Sequence, residues 1–257
     1  MKKTAMAAVG IAILAGAAIV VKHSLRVKDA YFDAETNRLR QVPADLIVVR
    51  TTHFPNSLAK VCEIHDGNGG AVTRAVGRNV RLQDVIGEAW DCNPARVVLP
   101  LEAPKGGFDF LVTKTGDARA QLQTAVRRNL GYSAHAEARD TEVWILKVEN
   151  SALPGLTFSP DNESAGADVR DGKLYLRHQR LSVILNGLSQ GLNRPVVDKT
   201  GLDKFYNFSV PWNPEVQKRM QGGAFSLDGV KKVLSGLGIA LEPDTESQEM
   251  YVVEKAR

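Results

Sequence analysis

Cysteine is scarce in this chain: Cys62 and Cys92 are the only two in 257 residues. Cys62-x-x-His65 has the spacing of two metal ligands, but no second close pair accompanies it, so the sequence assigns no metal site. In an oxidising compartment a lone pair of this kind points to a Cys62–Cys92 disulfide. Closing a loop of about thirty residues contributes roughly 3–4 kcal/mol in the chain-entropy account. Two separate buried thiols are the other reading. Catalytic signatures are missing as well. There is no G-x-S-x-G, no phosphate-binding loop and no dinucleotide glycine motif. His135-x-Glu137 lacks the i, i+4 pairing of a zinc peptidase, and His53 and His178 stand isolated. No catalytic residue and no cofactor is therefore assigned.

Acidic residues are absent from residues 1–22, where Lys2, Lys3 and Lys22 stand. Those lysines supply most of the net charge of +4, and the rest of the chain is close to neutral. A near-neutral folded part excludes the electrostatic footprint of a nucleic-acid binder. Thr4 to Val21 carry no charge at all. A basic start followed by such a run is an export pattern, either a signal peptide cut after the small-x-small site Ala15-Gly16-Ala17 or an uncleaved anchor crossing the membrane through residues 4–21. Both place the remainder on the periplasmic or extracellular side of the cell envelope. Residues 23–44 read as a connector, either a short juxtamembrane helix or a tether.

What the chain does contain is an internal repeat. Leu82, Val85, Ile86 and Ala89 fall on Leu181, Ile184, Leu185 and Leu188, one apolar helix stripe in each case. Val97-Val98 then falls on Val196-Val197, and Phe108-Asp109-Phe110 on Tyr206-Asn207-Phe208, all strand signals. Further on, Val126–Gly131 lies over Val233–Gly238, two helix ends closed by glycine, with Asp117 and Ser226 as N-caps. Glu142–Leu146 lies over Glu249–Val253. Strands Asp45–Thr51 and Lys173–Arg177 precede the two halves. The expected fold is α+β, two tandem β-α-β-β-α-β-like halves at 45–150 and 173–257, joined by a linker at 151–172. Residues 55–78 and 213–224 read as loops because they are rich in glycine and polar residues.

At Arg194-Pro195-Val196-Val197-Asp198-Lys199-Thr200-Gly201-Leu202, followed by Tyr206-Asn207-Phe208, the chain resembles an uncharacterised bacterial family called soil-associated proteins. His135-Ala136-Glu137-Ala138-Arg139-Asp140 is similar to that family's H-x-E-x-R-E stretch; Asp140 and Asn207 depart from its usual Glu and Asp. The resemblance spans about residues 45–254. It implies no reaction. Some relatives carry the domain behind a membrane-bound regulatory metallopeptidase of the β-lactam-sensor kind, which implies an extracytoplasmic sensor. In pattern the halves are similar to the short N-terminal domain of secretins and TonB-dependent receptors, small domains that bind protein partners.

Asp198, Thr200 and Gly201 are expected to form a self-bonded turn, with Gly201 at positive φ. The function expected is an interaction or sensing module for an envelope protein or ligand, taking a partner strand on an edge such as Lys173–Arg177. The alternative is an envelope-acting hydrolase whose site gathers His135, Glu137, Asp198 and Thr200 in one pocket.

Overall fold

The computed structural model describes residues 27–67, 70–160, 162–211 and 226–256. The expected export segment at 1–22 and the expected loop at 213–224 lie outside the described residues. Among the described residues no helix is long and apolar enough to cross a membrane.

The fold is α+β, with short helices and three four-stranded sheets that are mostly antiparallel. The first sheet has the order β1-β5-β3-β2, from Ile47–Thr51 (β1), Lys60–His65 (β2), Val72–Val80 (β3) and Phe108–Val112 (β5). One face of it packs on α2 (Leu82–Trp90) and α3 (Ala118–Leu130). The stripe Leu82, Val85, Ile86 and Ala89 is buried as its spacing predicts. Asp117 caps α3 by accepting from the amides of Arg119 and Ala120, and Gly131 closes it at φ 72.

The other face of this sheet is covered by the connector. After a 3₁₀ turn at Asp29–Phe32 comes α1 (Thr36–Gln41), and Phe32 and Leu39 are wholly buried against Val76 and Leu111. Each such side chain stabilises the fold by about 1.5–3 kcal/mol on burial. Arg74 donates to the carbonyls of Leu39 at 3.1 Å and Val42 at 2.7 Å, and the Arg50 guanidinium lies 4.3 Å over the Phe32 ring. The connector is thus a layer of the fold rather than a tether.

The glycine-rich 55–78 stretch, expected as loop, holds β2 and most of β3. Both faces of β3 are covered, so it lacks the alternation that marks a half-exposed strand. Glycine is required at 77, because a Cβ would stand 2.1 Å from a carbon of the buried Phe110 ring.

The second sheet has the order β7-β11-β9-β8, from Leu156–Phe158 (β7), Gly166–Arg170 (β8), Lys173–Gln179 (β9) and Tyr206–Pro211 (β11). Two of these strands occupy the expected linker. Lys173–Arg177 is not an edge: β9 pairs with β11 on one side and β8 on the other. The sheet encloses a core with α4 (Leu185–Leu192) and α5 (Leu227–Gly236), the latter capped by Ser226.

The third sheet joins the two cores. Its centre is the antiparallel ribbon of β6 (Tyr132–Val148) and β12 (Ile239–Lys255), each 17 residues long. The short strands β10 (Val196–Asp198) and β4 (Val97–Val98) flank it in parallel, β10 on β6 and β4 on β12. Tyr132, Ala134 and Val253 enter the first core; Leu146, Ile239 and Leu241 enter the second. All six lie on one face of the ribbon, because side chains alternate along a strand and the register sets Ala134 opposite Val253 and Leu146 opposite Leu241.

Candidate functional site

Between the two cores the ribbon runs bare. From His135 to Glu142 on β6, and from Glu242 to Glu249 on β12, no residue is buried. The H-A-E-A-R-D motif is this exposed middle. His135, Glu137 and Arg139 share one face at strand spacing. Arg139 grips Glu137 with two bonds, 3.0 and 3.3 Å, and His135 Nε2 lies 3.6 Å from the same carboxylate. The Arg139 guanidinium, with His135 behind it, holds the Glu137 carboxyl below its ordinary range.

The main chain of this stretch has a defined orientation. Trp144 N–H donates to the Pro195 carbonyl at 2.8 Å, and the Leu146 carbonyl accepts from Lys199 at 2.9 Å. Residues of that parity therefore point away from β12. Among the described residues, the outward amides and carbonyls of Ala136, Ala138 and Asp140 have no main-chain partner. The opposite margin differs: Pro243 has no N–H, and Thr245 N–H donates to its neighbour Asp244 at 2.8 Å.

The residues proposed for hydrolysis are not gathered. Asp198 sits opposite Leu146, near one end of β6, whereas His135 lies near the other. At ~3.3 Å per residue the separation is on the order of 35 Å. Asp198 Oδ1 accepts from the Thr200 amide at 2.9 Å and hydroxyl at 2.6 Å, Thr200 Oγ1 accepts from Leu202 at 3.2 Å, and Gly201 has φ 67. These bonds are the self-contained turn the motif predicts.

Cys62 and Cys92 are free thiols, so the expected disulfide is not formed. They lie on opposite faces of the first sheet. Cys62 packs against the connector layer, Cys92 against the helix layer. Among the described residues no group of three or more His, Cys, Asp and Glu could hold a metal ion.

Two polar clusters escaped sequence reading. Asp109, wholly buried, accepts from Thr52 Oγ1 at 2.7 Å, His53 N at 2.9 Å and Asn79 N at 3.0 Å, with Arg50 Nε at 3.5 Å. In the second sheet Asn207 accepts from His178 N at 2.7 Å and donates to Glu163 at 2.9 Å. Ser159, also wholly buried, donates to Glu163 at 2.6 Å and lies 2.9 Å from His178 Nδ1. The Ser159 hydrogen belongs to Glu163, so His178 donates to Ser159, the reverse of what activates a serine nucleophile. Asn79 and His178 both have positive φ, 51 and 48. Both clusters thus clamp an irregular strand end. The only sequence signal was the shared F-D-F and Y-N-F pattern.

A third cluster joins β2 to the helices. Glu88 of α2 faces Glu63 of β2, and Arg119 reaches Glu63 at 3.2 Å and Asp91 at 2.5 Å. Glu88 Oε1 is buried without a donor. Burial first, then the Glu63 carboxylate, push the Glu88 carboxyl up to about 9, and Glu63, accepting from Glu88 and Arg119, is lowered. A proton on Glu88, donated to Glu63, removes the repulsion between the two carboxylates.

The family model described as "Protein of unknown function (DUF3738)" matches residues 83–256. No curated protein and no solved structure matches the chain.

Proposed function

For this chain, which belongs to the DUF3738 family of proteins of unknown function, we propose the role of a protein-interaction or sensing module of the cell envelope, held or exported by its first 22 residues. The observation that carries the reading is the bare middle of the ribbon, exposed on both strands between two finished cores. A fold spends no packing there, and exposed edge main chain is what partner strands recognise. The envelope location draws on Lys2, Lys3 and the uncharged Thr4–Val21 run. The soil-associated and secretin-like resemblances point the same way. The hydrolase alternative draws no support from His135 and Asp198, which stand at opposite ends of β6.

We also read the chain as a tandem duplication. The matching strand orders support it, and so does the exchange of short strands: Val97 pairs with Tyr251 while Val196 pairs with Trp144, positions that the repeat equates. On this reading the ribbon is where the two copies meet.

The test is photocrosslinking from position 137 of the full chain in its native envelope, followed by mass spectrometry. One reproducible protein partner is expected. An absence of any partner above background, with the protein present in the envelope, rejects the module reading.

A further inference from the structure

Resting on the reading of the ribbon as a docking surface, we propose that one of its two margins, β6 from Ala136 to Asp140, accepts an extended peptide segment of another protein as an added strand. The margins are equivalent by position and opposite in chemistry. On β12 the missing N–H of Pro243 and the Asp244 carboxylate on Thr245 N–H remove two successive outward donors. Proline and inward-turned charge are how exposed edges are protected from unwanted pairing. On β6 the outward donors and acceptors of Ala136, Ala138 and Asp140 are complete and exposed, with no proline among them.

The length of the free edge is bounded. Arg194, just before β10, bonds Glu142 at 2.6 Å and ends it on one side; Ala134, buried in the first core, ends it on the other. About five residues of an incoming strand fit that span at ~3.3 Å each. Ala136 and Ala138 carry only methyl groups on the face that leads into the cores. A larger apolar side chain of the incoming strand can lie over them without displacing anything. His135, Glu137 and Arg139 occupy the opposite face and offer charge to polar side chains of the same segment.

A random short-peptide library panned on the full chain tests this. Selected peptides are expected to slow hydrogen exchange at the Ala136, Ala138 and Asp140 amides. Ala138→Pro removes an outward N–H that the β6–β12 ladder does not use, and proline is tolerated at such an edge position. It is expected to weaken peptide binding about tenfold or more, while Thr245→Pro leaves binding unchanged. Exchange protection in the unsubstituted chain decides the matter even if Ala138→Pro misfolds. Strand addition is overturned if no peptide is selected, if protection appears elsewhere, or if folded Ala138→Pro binds as before. If crosslinking from position 137 still captures its partner in that case, the ribbon docks by its side-chain face and only the added strand is rejected. Loss of both results rejects the docking surface itself.

Discussion

Asp140 of β6 stands directly opposite Ser247 of β12, and both strands extend equally far to either side of that pair. Their burial follows almost the same sequence of positions, apolar at both ends and bare in the middle. The pair sits at the mid-point between two cores that each draw side chains from both strands. Neither core is complete without the other half of the chain, because β4 lies on β12 and β10 on β6.

The Glu63–Glu88 pair makes stability depend on pH in a defined direction. Folded Glu88 keeps its proton to about pH 9, whereas an unfolded glutamate releases it near 4.5. The stabilisation is complete below the unfolded value and is lost as pH rises toward the folded one, at up to about 1.4 kcal/mol per pH unit. Glu88→Gln keeps a donor toward Glu63 and does not titrate. Thermal melts across this range are expected to show a flatter profile for the variant and a higher melting temperature than the unsubstituted chain at about pH 8. Parallel profiles would show that Glu88 does not hold the proton.

Asp109 clamps the end of β3. Asp109→Ala leaves the His53 and Asn79 amides without their acceptor and Arg50 beside an empty site. The expected loss is about 3–5 kcal/mol, read from urea unfolding. Asp109→Asn keeps an acceptor in place, as Asn207 does in the second sheet, and is expected to cost less. Equal losses for the two variants would mean that charge, not the acceptor, is what the site needs.

The thiols are expected to be independent and slow. Reductant should leave the melting temperature unchanged, since no bond joins Cys62 to Cys92. Burial, with Asp91 adding to it, pushes the Cys92 thiol up to about 12, so alkylation of Cys92 in the folded protein at neutral pH should lag far behind that in denaturant. Rapid labelling of Cys92 in the folded protein would contradict its packing in the first core.

Much of the local structure was legible in the residues themselves. The stripe at Leu82, Val85, Ile86 and Ala89, the caps at Asp117 and Ser226, the glycine stop at Gly131 and the Asp198–Gly201 turn all follow from contacts within a few residues. The strands within 55–78 were not legible, because a strand covered on both faces loses its period-two signal, and Gly77 imitates a loop while answering to the Phe110 ring.

The connector's amphipathic residues hinted at a buried face, but only the packed first sheet says what Phe32 and Leu39 are buried against. In the same way β9 reads as a possible edge until β8 pairs with it. The two margins of the ribbon, the Glu63–Glu88 pair and the separation of His135 from Asp198 depend on which distant segments become neighbours. Periodicity, capping and turn chemistry act over a few residues and are written along the chain. Strand pairing and shared cores act over a hundred residues or more and are decided when the surfaces meet.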